Sequence, residues 1–232
     1  MSTVFFRRAF AQVVCRLFMN SPRYLSFIAA SLVAWYCLTA QTPLYAQKER
    51  KQTAASWKEP LRYEINLEDR SDDTFKVRLR VGDLKAGNGV YQFAATAPGT
   101  YQIMDIGRYV RRFQAFDQSG KEIRCKRIST NQWQISQPTR VAEIRYDIAE
   151  TFDTPVERDE IFRMCGSSLE DDHALFNPHT VIGFPAGMQS RALKVQFLHP
   201  PSWTIGTAME KDADGYYLAK DYDFVVESPV LL

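Results

Sequence analysis

The residues of this sequence that could do chemistry are its histidines and the acidic side chains beside them. His173 and His179 are six residues apart and follow Glu170, Asp171 and Asp172. Zinc hydrolases commonly place two histidines four residues apart, as in His-Glu-x-x-His on a helix, so that both imidazoles reach one metal ion. The sequence has no such motif, and acidic residues clustered in a polar loop are usually solvated. We therefore predict no metal site and no cofactor on this chain.

Other catalytic patterns are equally weak. There is no Gly-x-Ser-x-Gly motif, and Cys165-Gly166-Ser167-Ser168 has no histidine at a fixed spacing beside it. The acidic residues of Asp69-Arg70-Ser71-Asp72-Asp73 match no calcium loop and are typical of a turn. On residue chemistry alone we assign no catalytic residue and predict a binding or structural domain.

The most distinctive stretch runs from Ala97 to Val110. Pro98 fixes φ near −65° and Gly99 tolerates a positive φ, which are the requirements of the two central positions of a type II turn. Beyond the turn the apolar residues fall three or four apart, which predicts a short helix with one buried edge; they are Ile103, Ile106, Val110 and Phe113.

Three arginines follow the turn closely, at Arg108, Arg111 and Arg112. Arginine can hold a carboxylate through two parallel hydrogen bonds, so one hypothesis is an acidic partner. The commoner arrangement is a solvated face or ion pairs within the domain.

Composition favours a globular exported protein. The chain has 232 residues, of which 45% are hydrophobic and 24% charged, values that disfavour disorder. Its formal charge is +2, but all four basic residues of positions 1–46 lie in a leader without acids, and the remainder carries −2. A net charge of −2 does not indicate a nucleic-acid-binding surface, and we predict no nucleic-acid partner.

Residues 1–46 are predicted to be a signal peptide. Arginines precede an apolar run from Leu25 to Leu38, and small residues follow, with cleavage favoured after Ala46. The run is shorter than the roughly 20 residues of a membrane span, so we expect no stable span after cleavage, the alternative being an uncleaved anchor. Translation from Met19 would give a more typical leader. The expected location is the periplasm or the extracellular space.

Residues 47–60 are polar and basic and are predicted to be a linker. From residue 61 onward, short segments of alternating apolar and polar residues are separated by Gly, Pro, Asp and Asn, the pattern of an antiparallel β-sandwich. The clearest are the strands beginning at Leu61 and Phe75, a predicted hairpin. The fold class is therefore mainly β, with residues 61–232 as one domain.

Residues 150–188 interrupt the strand pattern and are predicted to contain a short helical insertion. Asn177-Pro178 has the residue types of a helix start, and Pro185-Ala186-Gly187 would end it. Cys125 and Cys165 are the cysteines that remain beyond the leader. Two separate thiols are the favoured interpretation, with a single disulfide as the alternative.

The turn motif resembles a known family. Pro98-Gly99-Thr100-Tyr101-x-Ile103-x-Asp105-x-x-Arg108-x-Val110 is similar to the Pro-Gly-Ser-Tyr-x-x-Arg-Asp-Phe-Ala-Arg pattern of glycyl-aminopeptidase-type metallopeptidases, metallopeptidase family sixty-one. Other matching features appear in the same order; they are Tyr63, Phe113 to Gly120, Trp133, Tyr146, Phe176-Asn177-Pro178, Pro201-Ser202-Trp203 and Asp221-Tyr222-Asp223. Met104 and Gly107 depart from the pattern, at positions where the family commonly has Arg and Ala.

The resemblance implies a β-rich amino-terminal domain that precedes a zinc catalytic domain. It implies a structural role for the signature turn, through Pro98, Gly99, Tyr101, Asp105 and Arg108. Glu227-Ser228-Pro229 resembles the Asp-Ser-Pro junction of the family and is expected at an interdomain contact. Zinc is expected only in the catalytic partner domain.

The sequence thus predicts a non-catalytic, exported amino-terminal domain that packs on a metallopeptidase catalytic domain and helps shape its substrate cleft. The sequence is compatible with three origins of the chain: a truncated gene, half of a split pair and an independent module. The alternative function is a free-standing module that binds peptide or glycan.

Overall fold

The computed structural model describes residues 59–97 and 99–232. The predicted signal peptide, most of the predicted linker and Pro98 lie outside these residues. In the described part, no helix combines the length and apolar character needed to cross a bilayer.

The described residues form strands, short 3-10 helices and one α-helix. The strands are β1 (Leu61–Asn66), β2 (Thr74–Arg80), β3 (Val90–Gln92), β4 (Val110–Asp117), β5 (Glu122–Ile123), β6 (Cys125–Arg127), β7 (Gln132–Ile135), β8 (Val141–Ala149), β9 (Ser168–Leu169), β10 (Ala174–Phe176), β11 (Phe184–Pro185), β12 (Leu193–Leu198), β13 (Gly206–Thr207), β14 (Glu210–Lys211), β15 (Tyr217–Ala219) and β16 (Val230–Leu231). The 3-10 helices are Ala86–Asn88, Ile106–Tyr109, Pro138–Arg140, Arg163–Cys165 and Pro178–Thr180, and helix α1 is Tyr222–Val226.

The strands form three sheets, which confirms the mainly β, sandwich-like prediction. The largest has eight strands in the order β14-β15-β12-β1-β2-β8-β4-β5. Two four-stranded sheets have the orders β13-β16-β10-β9 and β11-β3-β7-β6. Neighbouring strands are antiparallel except β1 and β12, which are parallel with Leu61 opposite Leu193. A parallel pair needs a crossover connection, and here the whole chain between the two strands provides it.

The predicted first hairpin is confirmed. Strands β1 and β2 are antiparallel, with Tyr63 opposite Leu79 and Ile65 opposite Val77. All four side chains are buried, whereas Arg62 on the alternate face is exposed. The period-2 pattern located these strands correctly because one face of the sheet covers the core.

Two predicted helices and one predicted helix cap need correction. The helix expected from Ile103 is only the 3-10 turn Ile106–Tyr109, because Val110 already begins strand β4. The helix expected after Asn177 is the three-residue turn Pro178–Thr180, and the Asn177 side chain does not cap it. Instead the Asn177 Nδ2 donates to the carbonyl oxygen of Gly166. The Asn177 side chain therefore bonds a residue eleven positions away and does not cap the turn that follows it.

Helix α1 was not predicted, although the sequence contained its signal. The Asp221 side chain accepts a hydrogen bond of 2.8 Å from the N–H of Phe224, which is an N-cap. The helix is one turn long, so it shows no apolar periodicity that would reveal it.

The long insertion is anchored to the core by tyrosines. Four buried hydroxyls donate to backbone carbonyl oxygens of residues 181–183: Tyr63 and Tyr91 to Gly183 at 2.7 Å, Tyr146 to Val181 at 2.9 Å and Tyr222 to Ile182 at 3.0 Å. Burial raises the pKa of each of these tyrosines, so they stay neutral donors. The insertion is thus part of the domain core, and it supplies strands β9, β10 and β11.

The two cysteines are separate, as the favoured interpretation predicted. Both thiols are free, with Cys165 buried and Cys125 half-buried. Burial raises the pKa of the Cys125 thiol to about 11, which keeps it unreactive near neutral pH.

Candidate functional site

The signature turn has the geometry that its sequence predicts. Gly99 has a φ of +76°, and the N–H of Thr100 donates to the carbonyl oxygen of Ala97 at 3.2 Å. A β-branched residue is strongly disfavoured at this φ, so the turn depends on the glycine.

Replacing Gly99 by valine should lower the free energy of unfolding by about 1–2 kcal/mol. The cost is backbone strain alone, because a Cβ at this position would meet no atom within 4 Å. Thermal unfolding of the full chain measures it, with Gly206→Val as a control at an equally open position whose φ is not positive. Equal melting temperatures for the two variants would contradict the prediction.

Beyond the turn, Asp105 is held in a left-handed conformation, with a φ of 47°. Asn131 stabilises it by donating from Nδ2 to the Asp105 Oδ1 at 2.7 Å. The Asn131 Oδ1 also accepts the N–H of Gly107 at 2.9 Å. Asp105 therefore fixes the chain direction between the turn and strand β4.

Arg108 ties the signature turn to the insertion. Its Nε donates to the carbonyl oxygen of Met104 at 2.9 Å, its Nη1 to that of Arg158 at 2.7 Å, and its Nη2 to that of Asp159. The guanidinium is thus used inside the domain, and the acidic-partner hypothesis does not describe it. Arg112 likewise pairs with Asp147 across the sheet, with 2.8 Å between Nε and Oδ2.

Gln102 makes a second bridge between the same two segments. Its Nε2 donates to the carbonyl oxygen of Glu160 at 2.5 Å, and its Oε1 accepts the N–H of Phe162 at 3.1 Å. Sequence reasoning missed this residue because its partners are 58 and 60 positions away, and nothing in the local spacing connects them.

Apolar side chains point outward from the bridged segments. Tyr101 is 106% exposed, Met164 87%, Ile103 70% and Phe162 59%; we call these four residues the apolar face. Ile103 was predicted to be buried on a helix edge, and its exposure corrects that prediction. Met104, at the position where the family pattern has arginine, is fully buried in the core.

A groove of about 650 Å³ lies beside the apolar face. Tyr101, Ile103 and Arg108 line one part of it, and Arg158 and Asp159 line another. Of the signature residues that the structure describes, Tyr101 is the one with a fully exposed side chain, whereas Asp105 bonds the Asn131 side chain and Arg108 bonds a backbone carbonyl oxygen. The structure thus brings the predicted turn together with a segment of the insertion that sequence reasoning had not selected.

The predicted junction residues lie at the other end of the domain sequence, after α1. Glu227 and Pro229 are exposed, but Ser228 is buried and its hydroxyl donates to the carbonyl oxygen of Phe224 at 2.8 Å. Ser228 therefore closes α1 locally. An interdomain contact at these residues stays a prediction.

A group of three carboxylates lies where strands β2 and β8 reach the insertion. Oxygen atoms of Asp73, Glu150 and Asp153 lie within 4.8 Å of one another. Glu150 is buried, and its carboxylate accepts the N–H groups of Phe152 at 2.7 Å and Asp153 at 2.9 Å. Such oxygens are ligands that hard cations prefer, but those of Glu150 already bind backbone donors.

Asp69 and Asp72, which match no calcium loop, form ion pairs instead. Both pair with Lys76, with oxygen-to-Nζ distances of 3.1 and 2.7 Å. The hydrogen bond from Lys76 lowers the pKa of Asp69. These residues stabilise the turn between β1 and β2, in agreement with the turn interpretation.

The carboxylate group predicts a pH-dependent stability. Burial, and then the hydrogen bond with Asp153, raises the pKa of Glu150 from 4.5 to about 7. The folded chain therefore binds this proton more tightly than the unfolded chain, so the stabilisation is complete below pH about 4.5 and is lost as the pH rises through about 7. The ionisation of Glu150 should accordingly lower the melting temperature between pH 5 and pH 8, whereas His179, whose pKa is lowered by burial, contributes a change of the opposite sign.

Asp153→Asn should make this fall smaller, because a neutral amide no longer opposes ionisation of Glu150. Differential scanning calorimetry across the same range measures both slopes. Asp171→Asn, an exposed acid outside the group, is the control and should keep the wild-type slope. An identical slope in Asp153→Asn and wild type would show that the carboxylates do not interact.

The three histidines have separate local partners. The Nε2 of His179 donates to the carbonyl oxygen of Cys165 at 2.8 Å, and burial lowers the pKa of this histidine. His173 bonds the Asp172 carboxylate at 2.7 Å, and His199 donates to the carbonyl oxygen of Pro200 at 2.9 Å. His179 thus has a structural role as a buried donor.

A similar fold occurs within a longer protein of known structure. An aminopeptidase N family protein from Idiomarina loihiensis has a similar structure, with a TM-score of 0.64 and 20% sequence identity. The similarity covers 74% of this chain and 29% of that one, so this chain spans well under half of the larger protein. Among curated proteins, no relative matches the sequence.

The match to a family model identifies the chain more specifically than the similarity of fold does. The family model for the Peptidase M61 N-terminal domain matches residues 62–232. The chain belongs to this family, which confirms the resemblance found in the turn motif.

Proposed function

We propose that this chain is the exported, non-catalytic amino-terminal domain of a glycyl-aminopeptidase-like metallopeptidase, and that it packs on a zinc catalytic domain and helps shape its substrate cleft. The observation that carries the proposal is the family match, which covers the whole β-rich domain from residue 62 to residue 232. The fold supports it, because a similar domain makes up part of a longer aminopeptidase-family chain.

The chemistry of the described residues agrees with a supporting role. The histidines bond acceptors within the domain, Asp105 accepts a hydrogen bond from the Asn131 side chain, and Arg108 donates to a backbone carbonyl oxygen. The zinc ion and the catalytic glutamate of the reaction would belong to the partner domain. This domain would contribute binding surface and orientation, which raise the rate only when they favour the transition state.

Arylamide hydrolysis tests this function. The full chain, a zinc-loaded Peptidase M61 catalytic domain and their equimolar mixture are assayed with glycyl and alanyl arylamides. We expect no hydrolysis by the chain alone and a higher kcat/KM for the mixture than for the catalytic domain alone. Hydrolysis by the chain alone together with stoichiometric zinc, or a mixture no faster than the catalytic domain, would contradict the proposal.

The groove beside Tyr101 and Ile103 favours a second candidate, a free-standing module that binds peptide or glycan. Its volume of about 650 Å³ is within the range of ligand pockets. Titration of the chain with peptide and glycan panels separates the two functions. Saturable binding without any catalytic domain would favour the module, whereas a domain that needs its partner should bind none of them.

A further inference from the structure

We propose that the apolar face is the surface through which this domain docks on the zinc peptidase catalytic domain. The inference rests on the function proposed above and names the residues that carry it. It places the contact on the signature turn and the insertion.

The size of the apolar face is the first argument. Seven large apolar side chains are exposed in the described residues, and four of them are Tyr101, Ile103, Phe162 and Met164. The bonds from Gln102 to Glu160 and Phe162 place the two segments side by side, and the four exposed side chains flank this bridge. Their exposed area is on the order of several hundred Å², and patches of that size commonly mark interaction sites.

The stiffness of the two segments is the second argument. Arg108 bonds the carbonyl oxygens of Met104, Arg158 and Asp159, and Gln102 bonds Glu160 and Phe162 on the same insertion segment. Polar side chains therefore fix the backbone from within while the apolar side chains face outward. A surface fixed before binding loses less conformational entropy when a partner docks.

The surroundings of the apolar face resemble the rim of a protein interface. Arg158 and Asp159 are exposed at 87% and 71% of their side-chain area, and Arg163 is exposed beside Phe162. An apolar centre with an arginine-containing polar rim is the usual anatomy of a specific protein–protein contact. Charges of both signs at the rim suit a folded protein partner better than a uniformly anionic surface.

The position of the carboxyl end agrees with the catalytic domain as the occupant of this face. The N–H of Leu232 donates to the carbonyl oxygen of Ala174 at 3.0 Å, next to strand β10, and β10 pairs with β9. Strand β9 begins at Ser168, shortly after Met164. Under the proposed function, a catalytic domain that followed residue 232 would leave from the sheet into which the Phe162–Met164 segment runs.

Isothermal titration with the zinc-loaded Peptidase M61 catalytic domain tests the assignment. The double variant Tyr101→Ser/Ile103→Ser should weaken binding by about 30-fold or more, as loss of interface hot spots does. Phe162→Ser/Met164→Ser is a second, independent variant. Ile128→Ser is the matched control, because Ile128 is 49% exposed on another segment, and it should change the Kd by less than about threefold.

The possible outcomes distinguish failure of the docking assignment from failure of the proposed function. If wild type binds and both double variants bind equally well while keeping wild-type melting temperatures, the face is wrong and the proposed function stands. If wild type does not bind, the proposed function and the face both fail. The wild-type chain could instead self-associate or bind phosphatidylglycerol-containing vesicles. If both double variants abolish either of these interactions, the apolar face has another occupant and the proposal is wrong.

Discussion

Replacing Gly107 by alanine should lower the free energy of unfolding by about 3 kcal/mol, the upper part of the usual range for overpacking. A Cβ at Gly107 would lie 2.7 Å from the Cα of Asn131 and closer still to the carbonyl oxygen of Thr130. Both are backbone atoms, so no side-chain rotation relieves the contact. The Asn131 side chain also bonds the N–H of Gly107, so any shift strains that hydrogen bond.

Thermal unfolding should report this loss as a decrease of about 10 °C in the melting temperature. Gly87→Ala is the matched control, because a Cβ there meets no atom within 4 Å and should change stability by at most about 1 kcal/mol. A Gly107→Ala variant as stable as wild type would contradict the close packing.

Gly183→Ala should destabilise the domain by a similar amount, about 3 kcal/mol. A Cβ there would lie 2.6 Å from the Tyr91 ring and 2.7 Å from the carbonyl oxygen of Gln92. Gly183 also accepts the hydroxyls of Tyr63 and Tyr91, so displacement of its backbone weakens the anchor of the insertion. Buried acceptors that lose their donors add to the cost.

This prediction has a local readout besides the melting temperature. Hydrogen exchange should become faster across residues 178–186, because the tyrosine anchor holds that segment on the core. Gly206→Ala, at an open position outside the insertion, should leave exchange there unchanged. A Gly183→Ala variant with wild-type stability and wild-type exchange would show that the anchor does not depend on the close approach of the glycine.

Much of the sheet structure could be predicted from the sequence, because each strand buries one face. The alternation in β1 and β2 located both strands. The turn glycine Gly99 was equally informative, because its φ is +76°. These features follow from local sterics and from a period of two residues.

What the sequence could not provide was the long-range pairing. Strands β5 and β6 are separated by one residue, yet β5 pairs with β4 in the large sheet and β6 with β7 in a small one. The insertion supplies strands to the small sheets, and the apolar face joins residues some 60 positions apart. No local pattern encodes which distant segment an exposed Tyr101 or Phe162 will meet.

The signature turn also has a clearer role than its motif suggested. Asp105 and Arg108 hold the backbone, in agreement with a structural interpretation, while Tyr101 is fully exposed. A side chain without buried surface in the domain contributes little to its stability, so Tyr101 is available for the docking contact proposed above.

Sedimentation velocity of an equimolar mixture of the full chain and a zinc-loaded Peptidase M61 catalytic domain tests most directly whether this domain serves a peptidase. We predict one boundary with the mass of a 1:1 complex at micromolar concentrations. Two independent boundaries with the masses of the separate proteins, at concentrations up to about 100 μM, would place any interaction below about 5–6 kcal/mol and contradict the account.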